Sequence, residues 1–90
     1  MKHEFHTVQK GTKGIDVTVM QAFLHSGMFT GKDGKPLEID GVCGDNSVYA
    51  INTFKKLNGI YETGNTEWKP DGVFDAKCWD RLGLGVVKSA

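Results

Sequence analysis

The sequence has no surplus of charge. Eleven Lys and Arg are matched by eleven Asp and Glu over 90 residues, for a formal net charge of zero. A general nucleic-acid binder draws affinity from a basic surplus that releases counterions from phosphates, so that class is set aside. Long apolar runs are missing too. None approaches the roughly 20 residues of a membrane span, and no basic amphipathic stretch marks a helix that lies on a bilayer. Cysteine is scarce: Cys43 and Cys78 stand alone. Two cysteines permit one bridge at most, and a disulfide remains open for a domain this small. The small apolar setting Val42-Cys43-Gly44, and Cys78 beside Trp79 on an expected helix, favour free buried thiols. The opening Met-Lys-His-Glu-Phe-His lacks the apolar stretch of a secretory signal. Three origins follow: a cytosolic chain, a piece of a longer exported chain, or a phage product released by lysis.

Signatures of catalysis and cofactor binding are equally sparse. There is no Gly-rich phosphate cradle. Asp33-Gly34-Lys35 lacks the spaced acids of a calcium loop. His3 and His6 flank Glu4 at a spacing that suits zinc, but no third ligand lies near them. Seven Asp and four Glu make chance carboxylate pairs common, and nothing in the spacing holds two at a hydrolase separation. No catalytic residue, metal or cofactor is therefore expected.

What is present is a set of core anchors, five Phe, two Tyr and two Trp, in a chain long enough for one domain. A domain of this size buries only about 60–65% of its unfolded surface, which leaves little room for a deep pocket. Residues 1–7 read as a loose leader, 8–84 as the domain and 85–90 as a tail. Val17, Met20, Phe23 and Leu24 recur at helical spacing, with Asp16 as a candidate N-cap and Gly27 as the stop. The first helix is placed at 16–26. Val48, Ile51 and Phe54 mark a second at 46–57, capped by Asp45 or Asn46 and closed by Asn58-Gly59. Asp75 caps a short third helix at 76–82, with Cys78, Trp79 and Leu82 inward. His25 falls in the last turn of the first helix, where a cation suits the helix dipole. Two polar loops, 28–38 and 61–70, separate the helices, and Ile60 is expected to tuck into the core.

An internal repeat runs through this pattern. Asp40-Gly41-Val42-Cys43 precedes the second helix, and Asp71-Gly72-Val73-Phe74 precedes the third. The expected fold is all-α: a compact three-helix bundle with two pseudo-repeated Asp-Gly turn-helix units. Each Asp is expected to fix its turn by accepting backbone N–H groups.

The ordered series resembles the peptidoglycan-binding domain that accompanies the catalytic domains of bacterial and phage cell-wall hydrolases. Its opening is seen in Gly11-x-x-Gly14-x-Asp16-Val17 and Met20-Gln21-x-x-Leu24-x-x-Gly27. Its centre is seen in Asp40-Gly41-Val42-Cys43-Gly44 and Ser47-x-x-Ala50-Ile51-x-x-Phe54. Its close is seen in Asn58-Gly59-Ile60, Asp71-Gly72-Val73-Phe74 and Trp79-x-x-Leu82. The match covers Val8 to Leu84. The family usually has an aromatic where Cys43 stands, Thr at Ser47, Gln at Lys55 and Gly at Asp75, and shorter loops before the Asp-Gly turns.

The resemblance implies a non-catalytic, monomeric module, outside the cell or in the wall. It would bind peptidoglycan, through glycan strand or stem peptide, and anchor a partner hydrolase. Most of the matched residues are apolar or turn residues with structural work to do. Ligand contacts are expected among exposed aromatic and amide side chains: Trp68 and Tyr61 in the second loop, and Tyr49, Asn52 and Lys56 on one face of the second helix. For Trp68 the competing reading is a ring folded over a thin core, and for Tyr49 and Asn52 a solvated helix face. Residues 31–38 and 61–70, each stretch before an Asp-Gly turn, are expected to rim one shared surface. The alternative function is a protein-interaction domain on the same fold, in a phage particle or secretion assembly, with Lys55 and the longer loops marking a surface redirected to a protein; a small hydrolase is a third.

Overall fold

The structure, a computed structural model, describes residues 4–60 and 70–83. Among these residues lie three helices, α1 (Ile15–Ser26), α2 (Asp45–Leu57) and α3 (Ala76–Arg81). Among the described residues there is no strand, only isolated antiparallel bridges. The protein is mostly helical, and no described helix is long and apolar enough to cross a membrane.

The core forms where the helical periodicity places it. Val17, Met20 and Leu24 of α1 are buried against Ala50, Ile51 and Phe54 of α2 and Cys78 and Trp79 of α3. A succession of rings crosses it. Phe5 stacks on Trp79 with centroids 4.3 Å apart, Trp79 meets the edge of Phe74 at 4.8 Å, Phe74 lies 5.5 Å from Phe54, and Phe54 lies 5.7 Å from Phe29. Rings at these separations add attraction beyond the area they bury. Ile60 and Leu82 are half-buried against the same cluster, as their patterning predicts. Cys43 and Cys78 are buried free thiols.

The segment before α1 closes the core. Val8 is fully buried and pairs with Phe74 through two backbone hydrogen bonds, of 3.0 and 2.7 Å. Gly11 N–H donates to the Cys43 carbonyl, Cys43 N–H to Thr12, and Gly14 N–H to Gly41. Residues 8–14 are thereby tied to both turns. Phe5 and His6, read from the sequence as leader, touch the core as well: the Trp79 indole donates to the His6 carbonyl at 2.9 Å.

Several local expectations change. Asp16 is not a cap. α1 begins after Gly14, without a side-chain cap, and Asp16 lies in the first turn. There it accepts from the His6 backbone N–H and from His6 Nδ1, both at 2.9 Å, so its carboxylate serves the incoming chain. α2 likewise starts after an uncapping Gly44. Asp45 pairs with Lys10 at 2.8 Å on the exposed surface, where such a pair contributes little. Asn46 accepts from Lys32 N–H. Asp75 does cap α3, accepting from Cys78 N–H. Phe23 and Leu57 face outward, because each core face is narrower than the apolar pattern implies. His25 does more than sit at a helix end: its Nδ1–H donates to the Leu37 carbonyl at 2.8 Å and ties down the first loop. Leu37, in that loop, is buried.

At the end of α1, Phe29 N–H reaches back to Leu24 and the left-handed position falls on Met28, with φ 66°. The matching stop after α2 has Gly59, with φ 65°, and Ile60 N–H bonded to Lys55. Both are the Schellman arrangement, in which Gly is the unstrained choice. At 85% exposed, Met28 is a large apolar side chain facing water.

Candidate binding site

The Asp40 turn is held from α1 by Gln21, which is 1% exposed. Gln21 Oε1 accepts from Asp40 N–H at 3.1 Å and Gly41 N–H at 2.9 Å. Its Nε2 donates to Asp40 Oδ1, the Val42 carbonyl and Ser47 Oγ, each at 3.0 Å. Asp40 Oδ1 also accepts from Val42 N–H at 3.0 Å. That N–H and the Gln21 amide hold the carboxyl below the ordinary carboxylate range. A primary amide can donate and accept, so one side chain satisfies both kinds of turn group.

The Asp71 turn is held from α2 by two residues. Lys55 is buried, and its Nζ donates to Asp71 Oδ1 and Oδ2 at 2.9 and 3.0 Å and to the Val73 carbonyl at 2.9 Å. An ammonium has no acceptor. Asn52, one turn earlier on α2, supplies it: Oδ1 accepts from Gly72 N–H at 2.7 Å. Asp71 Oδ1 accepts in turn from Val73 N–H. Burial pushes the Asp71 carboxyl up, but the hydrogen bonds from Lys55 and Val73, with the Lys55 charge, outweigh it and leave it below its ordinary value. Lys55, expected on a surface redirected to a protein, is instead turned inward, because the Asp71 carboxylate and the Val73 carbonyl take up its ammonium. It directly follows core-facing Phe54, as Gln21 follows Met20, and Asp71 follows it as Asp40 follows Gln21.

The same stretch of α2 carries a surface groove of about 490 Å³, lined by Tyr49, Asn52, Thr53, Lys56, Leu57 and Pro70. Three of the five residues singled out in the sequence, Tyr49, Asn52 and Lys56, thus share one wall. Their three- and four-residue spacing stacks them on one helix face. Tyr49 is 46% exposed and Leu57 72%, so the groove offers an aromatic ring and an aliphatic side chain to the solvent. Thr53 Oγ1–H is turned onto the Tyr49 carbonyl at 3.0 Å. The other two candidates, Tyr61 and Trp68, lie outside the described residues. The expected shared rim falls largely on residues 61–69, which lie outside the described residues. Pro70 lines this groove, whereas Gly34 and Pro36 line a separate hollow with His25, Met28, Phe29 and Thr30.

No group of three or more His, Cys, Asp or Glu that could hold a metal occurs among the described residues. His6 is engaged by Asp16, and His3 lies outside the described residues. Burial pushes the Cys43 thiol up to about 11 and the Cys78 thiol up to about 12, away from the thiolate that a nucleophile requires. No protein-family model, curated protein or solved structure matches the chain.

Proposed function

We propose that this protein is a non-catalytic module that binds peptidoglycan and holds a partner hydrolase against the bacterial cell wall. The observation that carries the proposal is the meeting of Tyr49, Asn52 and Lys56 in one shallow groove on α2. An aromatic platform with amide and cationic donors beside it complements sugar faces and the carbonyl and carboxylate groups of a cell-wall polymer. The fold reading is consistent with this. Two Asp-Gly turns, each braced from the preceding helix and each feeding the next, support a three-helix bundle of repeated turn-helix units in the order that the resemblance implies.

A module of this kind contributes effective concentration. A weak tether keeps a catalytic domain near an insoluble polymer without adding chemistry of its own. It would act outside the cell or in the wall, as a monomer beside its hydrolase. The test is cosedimentation with purified sacculi. The isolated protein is expected in the pellet, and Tyr49→Ala in the supernatant. Failure of the parent protein to sediment would refute the proposal and return weight to a protein-interaction domain. Release of soluble fragments from dye-labelled sacculi would overturn the non-catalytic assignment.

A further inference from the structure

We propose that the α2 groove selects an N-acetylated sugar, with the Asn52 side-chain amide donating to the acetamido carbonyl and the Tyr49 ring supporting the sugar face. This rests on the cell-wall reading above and names which part of the polymer is held. Its basis is the fixed orientation of Asn52. Oδ1 is committed to Gly72 N–H at 2.7 Å. An amide is planar, with oxygen and nitrogen on opposite branches of Cγ, so the two Nδ2 hydrogens are directed away from the turn. No acceptor for them is found among the described residues, and Asn52 lines the groove. The donor is therefore set before any ligand arrives, which lowers the ordering cost of binding.

The surroundings of that donor specify its partner. Tyr49 and Leu57 expose apolar surface on either side, and Pro70 adds more. An acetamido sugar presents a carbonyl acceptor, a methyl group beside it and a ring with one C–H face. These match, in order, the Nδ2–H, the aliphatic surface of Leu57 and Pro70, and the Tyr49 ring. A stem peptide also brings carbonyl acceptors for the Nδ2–H, but it lacks the ring C–H face that the exposed Tyr49 ring complements. A volume of about 490 Å³ lies within the usual range for small-ligand sites.

The experiment is a titration of isotopically labelled protein, followed by nuclear magnetic resonance, with three probes: chitotetraose, its fully de-N-acetylated counterpart, and a purified stem tetrapeptide. Chitotetraose is expected to move the Asn52 side-chain NH2 pair and the Tyr49 and Leu57 amides, and the other two probes to leave them in place. Asn52→Asp keeps an oxygen for Gly72 N–H but removes the donor. It is expected to weaken chitotetraose about five- to ten-fold, the worth of one hydrogen bond, with the folded spectrum intact. Tyr49→Ala, at an exposed position, gives a second variant independent of the turn. If sacculi retain the protein but chitotetraose leaves the Asn52 NH2 unmoved, or the tetrapeptide moves it instead, the sugar assignment is overturned and the cell-wall reading survives. If sacculi do not retain the protein, both are overturned.

Discussion

Replacing Lys55 with Met removes a buried cation while keeping a flexible side chain of similar reach. Three interactions are lost at once: two to the Asp71 carboxylate and one to the Val73 carbonyl. Breaking a fully buried pair by deleting one partner costs about 3–5 kcal/mol, because the remaining charge stays buried alone. Here the Lys55 side chain is 6% exposed but that of Asp71 is 35% exposed, so water recovers part of the loss. The expected cost is about 2–3 kcal/mol, after that screening. For a domain of this length it lowers the melting temperature by roughly 10–20 °C. Lys55→Gln retains a donor and is expected to cost less, about 1 kcal/mol. The assay is thermal and urea unfolding followed by circular dichroism, with Asp71→Asn and the double variant completing a cycle. Asp71 titrates below its ordinary value when folded, so its stabilisation is present above about pH 4, the unfolded value. It is lost as pH falls through the folded value, since the unfolded chain takes up the proton first. Lys55→Met is therefore expected to flatten the acid limb of the stability curve. A variant within about 0.5 kcal/mol of the parent at pH 7, the scatter of ordinary surface substitutions, would refute the view that this pair organises the second turn.

Met28→Gly is expected to stabilise the protein by about 1 kcal/mol, because Met28 occupies a left-handed position with its side chain 85% exposed; a lower melting temperature would show that the Met side chain contributes packing worth more than the backbone strain. Gly72→Ala is expected to destabilise by about 2–3 kcal/mol. Its φ is +67°, and an added Cβ would stand 2.8 Å from Val48 Cγ1; an unchanged urea midpoint would refute the turn geometry. Cys43 and Cys78 are expected to resist iodoacetamide at pH 8 in the folded protein and to react fully in denaturant, as buried thiols with raised values do. Mass spectrometry reads the outcome, and rapid native labelling of either would contradict its burial.

The three helices were legible in the residue pattern because amphipathic spacing is a local property. Val17, Met20 and Leu24, then Ile51 and Phe54, repeat at the helical period and are all buried. The Asp-Gly turns and the Asp75 cap were legible for the same reason, since their chemistry is decided within four residues. Three of the five candidate contact residues were grouped by helical spacing alone. Whether a polar residue beside the core is solvated or buried is not a local property. Gln21 reads as a polar residue between core positions and Lys55 as a departure on an exposed surface, and only the approach of a turn 16–19 residues onward provides the groups that make their burial affordable. The same holds for Val8 and Phe5, whose partners Phe74 and Trp79 lie at the far end of the chain. Sequence alone determined the helices, the bends and most of the core residues that the helices contribute. Tertiary structure decided which polar groups brace the bends and which way the Asn52 amide faces, because a hydrogen bond between distant segments exists only once the chain has folded around it.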